Sequence, residues 1–507
     1  MPVNTSNYPA APVPFTINQR RPPAVRRFPY AIYAICIGAA VTYLVSASHY
    51  ALPALFILAL LLPITLTLVP RSRPDWRQLL TPHNMVIIFF LLEVFGEPLN
   101  LTVFDAYSLI PRHIHATDTA VNSVLMLLGC AFVGYVIGYS LSAGRARQPR
   151  EARASVTQNL IRGELGIVVC FIALGCLSLY LYYDGISLYL YHLSHPEGHK
   201  ELAANLSSKW QGVSGVLLKP FLTFGIVGFW CYAIDRLPNA TRVLSATVLT
   251  VAVLPLIVLA SASFNRASML VPVVGVLTVF SNRIRRLPLV AFTVILGMLL
   301  LLAASWATYR SGKTALAEFQ LLDQLGKAPT SLEAELSDIL VTSTALHRLD
   351  TAGEPPCCRF TLIDSVLSPI PVLGKRFRDN SGQTVYNKLI YGDVSVADQV
   401  IPFYFELFYN LHLPGVFIGY FFLGKAIYYL QTLYLASNNT CAIREFSIFM
   451  LSFWVALLSI YSIGVLSQIL LYSLCPAYII LWITRKHKAQ TGSAVVKYCL
   501  RTQHQRA

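Results

Sequence analysis

IPFYFELFYNLHLPGVFIGYFFLG, residues 401–424, is the stretch whose reading decides the fold. It is an apolar, aromatic run long enough to cross a bilayer, which takes about 20 such residues. Yet it opens with Glu406 and Asn410 at i, i+4 spacing, which places both on one helical face. Polar groups at membrane depth are costly, so that face is expected to turn toward a bundle interior rather than toward lipid. Before it lies the chain's longest polar segment, residues 310–400. The work of such a chain is expected on the side of the membrane where this segment lies.

Outward from there the chain is mostly span. Its 507 residues are 55% hydrophobic and only 12% charged, with mean hydropathy +0.58; soluble domains carry about 25% charge. Apolar runs of span length recur, and lipid leaves no backbone group unsatisfied, so each must be helix. The fold class is therefore an all-α polytopic membrane protein, and its first partner is the lipid bilayer. The formal charge of +15 raises nucleic acid as a partner. Arginines clustered in short loops explain it better through the positive-inside rule, so no nucleic acid is expected.

Taken in order, residues 1–28 form a Pro-rich basic tail, read as disordered and cytoplasmic. The first apolar run reads as a span rather than a cleavable signal. Spans one to nine fill residues 29–309, at about 29–48, 51–69, 84–103, 119–141, 165–183, 212–233, 243–261, 265–281 and 287–309. Span six reads as interrupted at Lys219–Pro220, and spans seven and eight as a tight hairpin. Residues 310–400 make one large extracytoplasmic loop. Spans ten to twelve fill 401–483, at about 401–430, 445–462 and 464–483, and 484–507 form a cytoplasmic tail. This count of about twelve spans, with both termini cytoplasmic, puts 25 Lys and Arg inside against 5 outside once the nine of the long loop are set aside.

Within the loop, Thr330 and Glu333 have capping-box spacing before SLEAELSDILVTSTALHRL, which reads as an amphipathic helix lying at the membrane surface. TLIDSVLSPIP, from Thr361, reads as a second short helix, and the remainder as turns. Cys357 and Cys358 leave a disulfide open; the other eight cysteines are scattered without metal-ligand spacing.

Several residues carry candidate chemistry. Lys219, Arg266 and Arg310 all fall near the outer rim of their spans, with Asn265 beside Arg266. Three cations at headgroup level suit a diphosphate, because guanidinium offers paired N–H donors to phosphate oxygens; snorkelling to lipid headgroups is the plainer alternative. Glu406 is a candidate general base, although a helix-packing hydrogen bond accounts for it as well. Glu93 and Glu97 share a face in span three. His192, His195 and His199 lie in an outer segment with Tyr191 and other tyrosines, residues suited to a sugar's hydroxyls and ring faces. Pro196 breaks any helix between those histidines, which argues against a metal site.

FELFYNLHLPGVFIG, with Glu406, Asn410, Gly415 and Gly419, resembles the bacterial O-antigen and exopolysaccharide repeat-unit polymerases of the Wzy type. ASFNRASMLVPVVGVLTVF with Arg266, and Arg310 after span nine, are similar to that family's arginines. Leu411–His412 stand where such polymerases show Phe–Gly. The resemblance implies a GT-C-like membrane glycosyltransferase of the bacterial cytoplasmic (inner) membrane that needs no metal or other cofactor. Its substrate would be undecaprenyl-diphosphate-linked oligosaccharide, and a chain-length regulator and a flippase would be its partners. It implies catalytic roles for Glu406, Arg266 and Arg310, and substrate contacts from Lys219, Asn265, Asn410, His192, His195 and Tyr191. An O-antigen ligase shares this chemistry; a twelve-span lipid-oligosaccharide flippase or transporter is the reading from another class.

Overall fold

A computed structural model describes residues 80–93, 117–145, 161–183, 189, 209–238, 241–261, 266–285, 287, 338–352, 360–370, 374–392, 400–437 and 441–484. Spans one, two and nine of the sequence reading, and the tails up to residue 28 and beyond residue 484, lie outside them. Among the described residues every element is helical and there is no strand. The helices before the polar segment are α1 (Pro82–Leu91), α2 (Asp118–Arg145), α3 (Ile161–Tyr183), α4 (Lys209–Ile234), α5 (Arg242–Ser261) and α6 (Arg266–Arg283). The polar segment contributes α7 (Asp338–Ala352), α8 (Thr361–Leu367), α9 (Gly374–Arg378) and α10 (Gly382–Tyr391). Then come α11 (Phe403–Ser437), α12 (Ala442–Leu457), α13 (Ile463–Gln468) with a π-helical turn to Ser473, and α14 (Cys475–Thr484).

Five of these, α2, α3, α4, α5 and α11, are long and apolar enough to cross a membrane. The last span adds a sixth if its two halves, bent by 60°, count as one. The chain is thus a helical membrane protein. Span six is not interrupted: α4 continues through Pro220, as α5 does through Pro255, and proline is tolerated within membrane helices. The real break is in α11, where His412 takes φ 59° just before Pro414.

The helices run alternately up and down, and buried contacts fix their register. In α1, which Thr81 caps by accepting from Asn84 N–H, the buried His83 donates its N–H to Gln431 Oε1 at 3.2 Å. Its ring lies 2.7 Å from the Tyr135 hydroxyl and stacks on Tyr139. α2 and α11 run side by side in the same direction. Gly134 faces the Phe417 carbonyl, Gly138 the Phe421 carbonyl, and Gly424 the Tyr135 carbonyl, each with no room for a side chain. In lipid no hydrophobic force drives helices together, so close backbone approach across small residues must do it. Gly415 and Gly419 serve a different purpose: they lie under Leu411 and Leu407 of their own helix and make room for its kink.

At one end of the bundle four helices meet in an ion cluster. Arg283 donates to Glu445 at 2.7 Å and to Asp235 at 3.2 Å. Asn282 donates to Glu445 at 2.8 Å and to the Tyr434 hydroxyl at 3.0 Å. Asp235 also accepts the N–H of Ala442. The polar segment packs at the opposite end.

That segment departs from its sequence reading. α7 is no surface helix: residues 339–346 are buried on every side, against α2 and α10. α8 forms where a short helix was expected. α9 and α10 replace expected turns, because Tyr386, Asn387 and Ile390 give α10 a buried face and Gly392, in the left-handed region at φ 76°, closes it.

The α2–α11 contact is testable. Gly138→Val should lower the melting temperature of the detergent-purified protein, through an overpacking cost of about 1–3 kcal/mol. Gly166→Val, whose Cβ meets nothing within 4 Å, should leave it unchanged.

Candidate functional site

The described polar residues that draw the segment onto the bundle converge where α11 begins. Glu406 lies in the first turn of α11 and is 0% exposed. Its Oε1 accepts the hydroxyl proton of Ser365, from α8. The Ser365 oxygen in turn accepts the N–H of Gly382, the first residue of α10, at 2.9 Å. Amide, hydroxyl and carboxylate thus form a one-way chain, and each link polarises the next. Gly382 is required there, since a Cβ would collide with the Glu406 carboxylate. Glu406 Oε2 is buried, and the backbone N–H of Ile463, at the start of α13, is the other donor on this carboxyl among the described residues.

One turn further on, Asn410 holds the start of α8. Its Oδ1 accepts from Leu362 N–H at 3.2 Å and its Nδ2 donates to Thr361 Oγ1 at 2.8 Å. The far end of α8 is held by the last span, where the Tyr472 hydroxyl donates to the Pro369 carbonyl. A second network runs deeper. The Tyr404 hydroxyl donates to Glu93 Oε1 at 3.3 Å and lies 3.5 Å from Thr342 Oγ1 on α7. Thr342 shares a 2.9 Å hydrogen bond with the Tyr386 hydroxyl on α10. Glu93 is also buried. Three of the segment's helices are therefore tied to the bundle through two buried carboxylates.

The i, i+4 pair of the sequence reading does share a face, and that face is turned to the polar segment. In this arrangement a sugar hydroxyl reaches Glu406 only if α8 and α10 lift away. Lys219 stands elsewhere, on α4, with its ammonium 5.1 Å from the centre of the Tyr189 ring. Tyr189, buried, donates its hydroxyl to the Leu259 carbonyl near the end of α5. Arg266 is the first residue of α6; its side chain lies outside the description. So do Asn265, Arg310, His192, His195, His199, Tyr191, Glu97, Cys357 and Cys358.

Helix lengths give the relative depths. The Arg283–Asp235 pair ties the far ends of α4 and α6 together. From that pair, at 1.5 Å per residue, Lys219 stands about 24 Å along α4 and Arg266 about 25 Å along α6. The two cation-bearing positions are thus nearly level. α11 folds back at His412, with Leu407 against Gly419 and Phe403 beside Tyr420. Glu406 therefore returns to about the level of those residues, about 21 Å along α11 from Tyr434 and close to the depth of the cation-bearing positions.

Sequence reasoning missed Ser365, Gly382, Thr342 and Tyr404, as well as His83 with Tyr135 and the Arg283–Glu445 pair. No local signal pairs residues 41 or 162 positions apart, as Ser365–Glu406 and Arg283–Glu445 are. Among the described residues no group of three His, Cys, Asp or Glu is placed to hold a metal ion.

The docking contacts predict an exchange phenotype. Gly382→Ala, and separately Asn410→Ala, should quicken amide hydrogen exchange across residues 374–391 by about 10–100-fold, the cost of one buried polar group left unsatisfied. Unchanged exchange, read by mass spectrometry, would show that these contacts do not hold the segment. No family model matches this chain, and no curated protein or solved structure is similar to it.

Proposed function

We propose that the chain is a GT-C-like membrane glycosyltransferase of about twelve spans. It polymerises oligosaccharide repeat units carried on undecaprenyl diphosphate at the outer face of the bacterial cytoplasmic membrane. An acceptor sugar hydroxyl attacks the anomeric carbon of the donor chain. The bond to the diphosphate oxygen breaks, polyprenyl diphosphate leaves with the electron pair, and the hydroxyl proton passes to a base. Charge builds on the leaving diphosphate, so preorganised cations lower the barrier.

The observation that carries this reading is the level placement of Lys219 and Arg266 on separate helices, at the end of the bundle where the polar segment docks. Arg310, which follows span nine, completes the cationic rim. Asn265 beside Arg266, and His192, His195 and Tyr191 in the segment after α3, are assigned to the glycan. Glu406 takes a different role from the one its position in FELFYNLHLPGVFIG suggests: with Asn410 it seats the polar segment over the site, and it is a positioning residue.

The test separates these roles. Removing the chain should leave surface glycan one repeat unit long, and Arg266→Ala and Arg310→Ala should reproduce this while the protein stays in the membrane. Full-length polymer from those variants would contradict the diphosphate clamp. Polymer that forms but never reaches its lipid core would assign the chain to ligation. Glu406→Gln keeps an acceptor for Ser365 and should retain most polymer, while Glu406→Ala should lose it. A general base would lose about 10²–10⁴-fold in rate in both.

A further inference from the structure

α8 is built inside out. Its buried residues are the polar ones: Thr361 and Ser365, one turn apart, face the bundle and bond to Asn410 and Glu406. Its outer edge is apolar. Phe360 is 68% exposed, Ile363 52% and Val366 37%, and their spacing of three puts them on one stripe. Phe360 also takes a left-handed backbone conformation at φ 55°, which is unfavourable for a bulky side chain. Water would reverse this pattern, for a helix on a soluble surface turns its hydroxyls out and its Ile and Phe in.

The surroundings identify what covers the stripe. Leu411 and Leu413, next to the Asn410 that grips α8, are exposed on α11, a helix long and apolar enough to span. At 1.5 Å per residue the arm of α11 after the kink, residues 413–437, reaches about 37 Å, against a hydrocarbon core of about 30 Å. The kink at His412 therefore falls near one boundary of the core, and α8 packs beside it. α9 follows directly with Arg376 and Arg378 exposed, at the level where phosphate headgroups would meet them.

We propose that α8 is an interfacial helix seated in the bilayer, with Phe360, Ile363 and Val366 among the acyl chains and the α9 arginines at the headgroups. The long polar segment is then anchored to lipid on one side and to Glu406 and Asn410 on the other. This holds independently of the reaction proposed above.

The test uses the full chain in vesicles of phosphatidylethanolamine and phosphatidylglycerol. A ketone-bearing amino acid introduced at 360, 363 or 366 takes a spin label without engaging the native cysteines. Its relaxation by oxygen, which concentrates in lipid, is compared with that by a water-soluble nickel chelate. All three positions should favour oxygen severalfold, like a control label at Ile418 in mid-span and unlike one at Asp379. Relaxation by nickel as strong as at Asp379 would overturn the proposal by placing α8 in water. Shielding from both reagents would overturn it by showing that protein covers the stripe. In the unsubstituted protein, a carbene reagent confined to the lipid phase should modify the peptide spanning 360–367; no modification there would also overturn it.

Discussion

Two buried carboxylates, Glu93 and Glu406, set the constraint that the polar segment answers. A carboxylate taken out of water is destabilising by several kcal/mol unless hydrogen-bond donors replace its solvent. The membrane helices supply Tyr404 for Glu93 and the Ile463 backbone N–H for Glu406, with no side-chain donor to Glu406 among the described residues of α11 itself. The segment between spans brings Ser365 to Glu406, oriented by the Gly382 amide, and joins Thr342 and Tyr386 to the Tyr404–Glu93 contact. Because each carboxylate needs its partner, the segment has one place to sit.

The bundle beneath is held by other means. α2 and α11 touch backbone to backbone at Gly134, Gly138 and Gly424, which fixes their register to the residue. The Arg283–Glu445–Asp235 cluster ties the far ends of α4, α6 and α12. With those ends pinned, the lengths of α4 and α6 set how far Lys219 and Arg266 stand from them. A polar lock at one end thus determines the level of the cations toward the other. The kink at His412 folds the first turns of α11 back along the rest of the helix, Leu407 on Gly419 and Phe403 beside Tyr420, and so presents Glu406 and Asn410 to α8 and α10.

Much of this was legible in the sequence, and the reasons for the rest are physical. Hydropathy located the described spans because lipid leaves no alternative to helix. The shared face of Glu406 and Asn410 followed from helical geometry alone, but its partner did not, since a face that avoids lipid can meet a cation, a substrate or another helix. α7 reads as amphipathic only while its neighbours are unknown; burial on all sides comes from α2 and α10 packing around it. Lys219–Pro220 looked like a break because a lone helix cannot tolerate proline, whereas a packed one can. Gly415 and Gly419 stood out only through the family resemblance, whereas the glycines through which α11 and α2 touch are Gly424, Gly134 and Gly138.

The central claim is that the Ser365–Glu406 bond energetically couples the polar segment to the bundle. A double-mutant cycle measures it directly: Ser365→Ala, Glu406→Ala and the pair, each read as the opening free energy of residues 374–391 by hydrogen exchange in bilayer nanodiscs. The account predicts non-additivity of about 1.5–3 kcal/mol, as for a hydrogen bond to a charged group. Strictly additive losses would mean that the two residues act separately and that the segment is held by something else.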